Sequence, residues 1–299
     1  MTYTSRKKSG IALLLTVFFI MLITVSLGVG LKYINSSSKS MQNESFMLQS
    51  RVIVDDFLKI LKTSPDLAAV KDTDSLAIFL AQSSLLPFAN KDVKVLVEIS
   101  SARSKIDPTV LLDKPKMELF KSFLVNNMIN VEYADLLSDV LGGIKEDGVY
   151  NTDIFNEYPN LFRDYLSSVE HLDKVNEIYK NKYHDNSIDA VDFTELFYMS
   201  NDHNRTIDLN YATPLAWEYM IGCDKIRAES LVEGSGTYTN VADISLSDDE
   251  NRSLSNFKVS FFEPIVNVKI SINKKNENAV IIFEYNITSK KGSNFVFKV

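Results

Sequence analysis

Cysteine is nearly absent from this sequence, and its scarcity excludes two kinds of stabilising bond. The chain has 299 residues and one cysteine, Cys223. A single thiol cannot form an intramolecular disulfide, and it cannot supply the paired cysteines of a structural zinc site. Cys223 is interpreted as a core residue, and packing and hydrogen bonds must hold the folded state.

Histidine is also scarce, which limits the chemistry that the sequence can support. The three histidines, His171, His184 and His203, are scattered and have no nearby cysteine nucleophile. The sequence also lacks a G-x-S-x-G turn and any histidine pair at metal-binding spacing. No catalytic residue is predicted, and the protein is not expected to be an enzyme.

Basic residues are outnumbered by acidic ones. The chain has 32 Lys and Arg against 39 Asp and Glu, which gives a formal net charge of −7. Nucleic-acid binding depends on clustered cations that neutralise phosphates, so the balance argues against that partner. A hydrophobic fraction of 45% with 24% charged residues predicts a folded protein rather than a disordered one.

A long apolar run near the N-terminus predicts a membrane segment. Ile11 to Leu31 contains no charged residue, and Arg6, Lys7 and Lys8 precede it. A helix of this length spans about 31 Å, which matches the hydrocarbon core of a bilayer. The positive-inside rule then places residues 1–10 in the cytoplasm and residues 32–299 on the other side. The alternative is a secretory signal that is cleaved near Gly28-Val29-Gly30.

The position of Gly10 favours a more specific interpretation. This glycine lies between the basic leader and the apolar run, as in the prepilin leader of type IV pilins and type II secretion pseudopilins, which the segment resembles. The resemblance implies cleavage by a prepilin peptidase after Gly10 and N-methylation of Ile11. Ordinary pilins carry Glu at the fifth mature position, where this chain has Leu15. Lack of that Glu is typical of the K-type minor pseudopilins, the general secretion pathway protein K family, which lie at the filament tip.

The periodicity downstream predicts an α+β fold. No Pro or Gly interrupts the chain from Leu31 to Ser64, and Pro65 is expected to end the helix. Phe46, Ile53, Phe57 and Ile60 fall on one helical face. Alternating β-branched residues predict an early strand and several late ones, over 93–99, 257–262, 265–272, 279–287 and 295–299. The stretch between them has helical spacing. We therefore expect a pilin-like long N-terminal helix on a small antiparallel sheet, with a large all-α insertion.

The predicted domain organisation follows from these patterns. Its parts are a leader over 1–10, the transmembrane part of the helix over 11–31, the first part of the pilin-like domain over 32–101, the inserted helical domain over 102–256, and the C-terminal strands over 257–299.

A second resemblance to the K-type family lies inside the insertion. The segment with Asp208, Asn210 and Ala212 is similar to the N-x-N-T-A sequence that opens a helix-hairpin-helix-like unit in that family. Asp208 replaces the first Asn, and Tyr211 replaces Thr. Helices over 215–221 and 226–232 are expected around Gly222. The turn has one glycine beside Asp224, which disfavours DNA phosphate and favours a structural or docking use.

Acidic residues near glycine turns suggest a metal site. Acids cluster around Gly142, Gly143 and Gly148, and calcium prefers several oxygen ligands on a turning backbone. The K-type family binds calcium in its helical lobe. Only Asp139 and Asp147 lie near the comparable stretch, so they are the predicted calcium ligands. The alternative is that they are solvated loop acids, which the absence of an EF-hand pattern and of the family's tryptophan favours.

The resemblance as a whole implies a structural subunit at the tip of the periplasmic pseudopilus of a type II secretion system, where it primes and caps the filament. Its implied partners are companion minor pseudopilins, the major pseudopilin, the prepilin peptidase, the inner membrane, and the secretin or an exported protein. A minor pilin of a type IV pilus or DNA-uptake machine is an alternative. A membrane-anchored periplasmic enzyme or ligand-binding protein is a further one.

Overall fold

A computed structural model of the protein describes residues 39–89, 93–202, 205–274 and 277–298. The predicted apolar span over 11–31 lies outside these residues. Among the helices that the structure describes, none combines the length and apolar character that a membrane crossing requires. The chain divides into two compact units. The sheet unit contains the described residues up to Ala102 and those from Pro264 onward, and the helical unit is Arg103–Glu263.

In the sheet unit three helices precede five strands, whereas the helical unit has eight α-helices and two short strands among the described residues. The helices are α1 (Lys39–Thr63), α2 (Pro65–Ala68), α3 (Thr73–Ser83), α4 (Lys114–Asn126), α5 (Glu132–Leu141), α6 (Ile154–Glu157), α7 (Val169–Tyr183), α8 (Phe193–Leu196), α9 (Pro214–Ile221), α10 (Lys225–Glu233) and α11 (Asp248–Leu254). Short 3-10 helices span Pro108–Leu112, Ser187–Ala190 and Val241–Ile244. The strands are β1 (Leu85–Ala89), β2 (Val93–Ser101), β3 (Ile207–Asp208), β4 (Val259–Ser260), β5 (Ile265–Lys274), β6 (Glu277–Asn286) and β7 (Lys291–Lys298).

The sheet unit contains a five-stranded antiparallel sheet in the order β1-β2-β5-β6-β7. The predicted early strand therefore pairs with the late ones, with Val97 opposite Ile270 and Ile270 opposite Ile281. Side chains on β2 and β5 alternate between buried and more exposed, as expected for a sheet with one covered face. The α+β class and the antiparallel sheet are confirmed.

Helix α1 supplies apolar side chains to the core of this unit. Ile53, Phe57 and Ile60 are buried, as their spacing predicts, whereas Arg51 and Lys59 are exposed. The helix ends at Thr63 because Pro65 cannot continue it and instead begins α2. Phe46 and the earlier part of the predicted helix lie outside the described side chains.

The prediction for residues 257–262 was wrong in its pairing. Instead of joining the five-stranded sheet, this segment contributes only β4, which pairs in parallel with β3 inside the helical unit. The reason is that backbone N–H groups of the segment around Asp208 donate hydrogen bonds to the carbonyls of residues 258 and 260. Leu209 N donates to Ser260 O at 2.9 Å, and Ile207 N donates to Lys258 O at 3.0 Å.

Strand β1 is absent from the sequence prediction. Pro87 lies in its middle, and a proline inside a short apolar run argues against a strand unless the strand is at an edge. The structure places β1 at an edge of the sheet, where β2 pairs with it on one side.

Helix α4 ends in an unfavourable backbone conformation. Ile129 N donates to Leu124 O at 2.8 Å, which closes the helix with Met128 at a φ of 60°. Glycine usually occupies this left-handed position because a Cβ is strained there. The Met128 side chain is 89% exposed, so burial does not compensate.

Met128→Gly is therefore expected to raise the free energy of unfolding by about 1 kcal/mol, since it removes the strain of a Cβ in the left-handed region. Urea unfolding of the purified protein measures the change through the fluorescence of Trp217, the single tryptophan of the chain. Met128→Ala keeps the Cβ and should leave stability unchanged. Equal stabilisation by both variants would contradict the backbone explanation.

Candidate functional site: the buried motif and hairpin at 207–233

The motif predicted at 208–212 lies in the interior of the helical unit. Asp208 and Asn210 have no exposed surface, and Ala212 is 2% exposed. Buried polar side chains are costly unless they are hydrogen-bonded, so their partners determine their role. The two polar residues bind backbone groups from distant parts of the chain.

Asn210 connects three segments of the helical unit. Its Nδ2 donates to the carbonyls of Tyr238 and Phe261, each at 2.8 Å. Its Oδ1 accepts from Tyr238 N at 2.9 Å. The amide thus uses both of its donors and one acceptor on peptide groups, a pattern that an asparagine amide can satisfy and a carboxylate cannot. Asn210 is a structural crosslink rather than a ligand-binding group.

Asp208 connects the two ends of the helical unit. Its Oδ2 accepts from Glu263 N at 2.9 Å, and its Oδ1 accepts from Asn210 N at 3.0 Å. Its own backbone N donates to Arg103 O at 2.9 Å. Because the unit runs from Arg103 to Glu263, Asp208 binds its first and last residues.

Burial raises the pKa of Asp208 to about 6, although the two N–H donors partly oppose that effect. A folded-state pKa above the unfolded value of 3.8 means that the group contributes stability below pH 3.8 and loses it as the pH rises through 6. We expect the wild type to gain about 2 kcal/mol relative to Asp208→Asn between pH 7 and pH 4.

This prediction is measured as the difference between the unfolding free energies of the two proteins at each pH. His171 titrates with the opposite sign, since burial lowers its pKa, but it is present in both proteins and cancels. A difference that does not change with pH would show that Asp208 is not the group responsible.

The predicted helical hairpin is confirmed. Thr213 Oγ1 caps α9 by accepting from Ala216 N at 3.1 Å, and Gly222 ends that helix at a φ of 68°. Asp224 then caps α10 by accepting from Arg227 N at 2.8 Å. Trp217 is fully buried on α9, while Ile226 on α10 is 78% exposed. The hairpin places α9 in the core and α10 toward solvent.

The two predicted calcium ligands have different surroundings. Asp139 is completely buried on α5 and accepts from Asn151 N at 2.9 Å and from Thr152 N at 2.7 Å. The Asn151 amide and the Thr152 hydroxyl add bonds of 3.1 and 2.8 Å, and Lys145 Nζ lies 3.6 Å away. Asp147 is exposed, and its carboxylate accepts from Val149 N at 3.0 Å.

This arrangement gives Asp139 a function that the sequence did not reveal. Its carboxylate holds the loop after α5 through donors 12 and 13 residues away. Among the residues that the structure describes, no group of three His, Cys, Asp or Glu side chains is placed to hold a metal ion. Calcium binding by Asp139 and Asp147 stays a prediction.

The processing residues Gly10 and Ile11, and the tip-position residue Leu15, lie outside the described residues. Their roles also remain predictions.

Comparisons with known proteins add evidence on the fold. No protein-family model and no curated protein matches the sequence. The fold does match a solved structure, a chain in the crystal structure of the GspK-GspI-GspJ complex from the type 2 secretion system of enterotoxigenic Escherichia coli. The alignment covers 87% of this chain and 99% of that chain, with a TM-score of 0.56 and 10% sequence identity. The resemblance to K-type minor pseudopilins that the sequence indicated is therefore supported by the fold, which this chain shares with a subunit of that complex.

Proposed function

We propose that this protein is a GspK-like minor pseudopilin of a type II secretion system. The observation that carries the proposal is the shared fold across 87% of the chain. Gly10 before the apolar run and Leu15 within it support the same assignment independently. The role is assembly rather than catalysis.

In this role the protein would be anchored in the inner membrane by residues 11–31, with its C-terminal part in the periplasm. The protein would lie at the filament tip, because Leu15 provides no carboxylate for the amine of a subunit above it. A buried charge without a partner is costly in a bilayer, so its absence removes the need for that neighbour. Companion minor pseudopilins would contact it from below, and together they would prime and cap the filament built from the major pseudopilin.

Deletion of the gene in the native host tests this function. Export of the host's secreted proteins should be lost and should return with the wild-type gene, while pilus formation and DNA uptake should be unchanged. The reverse pattern would favour the minor-pilin alternative. Immunogold labelling should find the protein at filament ends, and labelling along the filament would contradict the tip position.

Gly10→Phe is expected to abolish cleavage of the leader. The leader resembles a prepilin peptidase substrate, and a bulky side chain just before the cleaved bond would block that peptidase. The uncut precursor should accumulate in the inner membrane, as mass spectrometry of the N-terminus would show. Gly30→Phe is the matched control, since it alters the alternative signal-cleavage site and should leave processing intact. A mature protein that begins after Gly30 would rule out the prepilin interpretation.

A further inference from the structure

The edge strand β7 exposes aromatic side chains on the sheet unit. Phe295 is 40% exposed and Phe297 is 38% exposed, and β7 has β6 as its one neighbour among the described strands. Natural proteins usually protect edge strands with charges, prolines or short length. On β7 the lysines Lys291 and Lys298 lie at the two ends, and the aromatic residues lie between them.

Phe295 and Phe297, here called the aromatic strip, lie beside helix α1. Phe295 stacks on Phe283 with ring centroids 5.1 Å apart. A Cβ built on Gly292 would stand 2.7 Å from Phe295 Cζ and 3.1 Å from Leu58 Cδ2, so the glycine permits this close approach. The Arg51 guanidinium lies 6.0 Å from the centre of the Phe297 ring. The strip is therefore fixed on one side and open to solvent on the other.

The β7 segment that carries the aromatic strip is basic in an acidic protein. The segment from Ile287 to Lys298 contains three lysines, at 290, 291 and 298, and no acid. All three are exposed, as is Arg51 on the adjacent helix. Exposed apolar rings favour contact with apolar side chains of a partner. The flanking cations favour a partner whose apolar side chains lie between carboxylates, because complementary charge steers association and disfavours wrong partners.

A second copy of this chain, paired through its own β7, would not bring carboxylates to these lysines. If two β7 strands paired antiparallel, Lys291 of one would approach Lys298 of the other, and a parallel pairing would bring identical lysines together. Like charges opposite each other destabilise strand pairs. A bulge further interrupts the strand, because the register shifts between Ile282 and Glu284 of β6, where Asn294 has a φ of 53°. Side-chain docking fits this edge better than addition of a full strand.

We propose that the aromatic strip is a docking surface for a segment of another protein in which apolar residues are flanked by Asp or Glu. The apolar residues would cover Phe295 and Phe297, and the carboxylates would face Lys290 and Lys291. This inference does not depend on the proposed secretion function, because it rests on the exposure and charge of the sheet unit.

Site-specific photo-crosslinking of the full-length protein in its native host tests the proposal. p-Benzoylphenylalanine replaces Phe297, and the crosslinked peptide is sequenced. The expected result is one partner protein, joined through an apolar segment with acids on both sides. Lys290→Glu with Lys291→Glu should lower the crosslinking yield about tenfold, which corresponds to about 1.4 kcal/mol. Changing the partner's acids to lysine should restore the yield.

Matched controls separate docking from nonspecific capture. The same photo-reactive residue at Ile78, which is 59% exposed on α3, should not capture this partner. Lys62→Glu with Lys71→Glu reverses two exposed charges outside β7 and should leave the yield unchanged. The proposal is overturned if no partner is captured, if the captured protein is a second copy of this chain, or if the yield ignores the reversal at 290 and 291. Protein levels and resistance to protease confirm that each variant is folded.

Discussion

Replacing Asn210 with alanine should lower the free energy of unfolding of the helical unit by about 4 kcal/mol, because three peptide groups lose their hydrogen bonds to this side chain at once. These groups are the carbonyls of Tyr238 and Phe261 and the amide of Tyr238. Trp217 is fully buried in the same unit, so its fluorescence during urea unfolding reports this loss directly.

Two comparison variants define what the Asn210 amide contributes. Asn210→Asp keeps the shape but cannot donate to the two carbonyls, and it adds a buried charge, so it should be at least as damaging as the alanine variant. Asn160→Ala, at an exposed asparagine, should change stability by less than about 0.5 kcal/mol. A loss below about 1 kcal/mol for Asn210→Ala would mean that the three segments do not depend on this residue.

Asp139→Ala should have a comparable effect, a loss of about 3 to 5 kcal/mol, since it removes a buried charged acceptor and leaves its donors unpaired. The donors are the backbone and side chains of Asn151 and Thr152, and Lys145 loses its ion-pair partner. Asp147→Ala removes an exposed acid eight residues along and should cost less than about 1 kcal/mol.

Thermal melting of these proteins with calcium and with a chelator separates the structural role of Asp139 from metal binding. A ligand that binds only the folded state raises its melting temperature. If calcium raises the melting temperature of the wild type and neither variant responds, both acids are ligands. If Asp139→Ala melts early under both conditions and calcium changes neither the wild type nor Asp147→Ala, the loop-holding role alone accounts for Asp139.

The sequence predicted the elements well where their signals are local. Helical spacing identified the buried face of α1 at Ile53, Phe57 and Ile60, and Pro65 predicted its end. The resemblance of the 208–212 segment predicted the hairpin around Gly222, whose helices begin at the local caps Thr213 and Asp224. These features depend on neighbouring residues, so the sequence contains the information that decides them.

The chemistry of the candidate site was less predictable, because its partners are remote in sequence. Resemblance singled out Asn210, but its bonds go to residues 28 and 51 positions away. Clustered acids and the family resemblance suggested a metal at Asp139, whereas the backbone of the following loop supplies its partners. Long-range hydrogen bonds also explain why residues 257–262 do not join the five-stranded sheet as predicted. Their strand β4 pairs with β3 instead.

The bonds of Asp208 to both ends of the helical unit have a consequence for how such a chain could arise. Ala102 N donates to Ile265 O at 3.0 Å, so the sheet unit receives the helical unit between two strands that already pair. Asp208 holds the first and last residues of the helical unit close together. The entropic cost of joining β2 to β5 through this unit is therefore little more than that of a hairpin turn, because loop-closure entropy grows only slowly with length. An insertion or deletion within the helical unit therefore leaves the pairing of β2 with β5 intact as long as these bonds at its ends are kept.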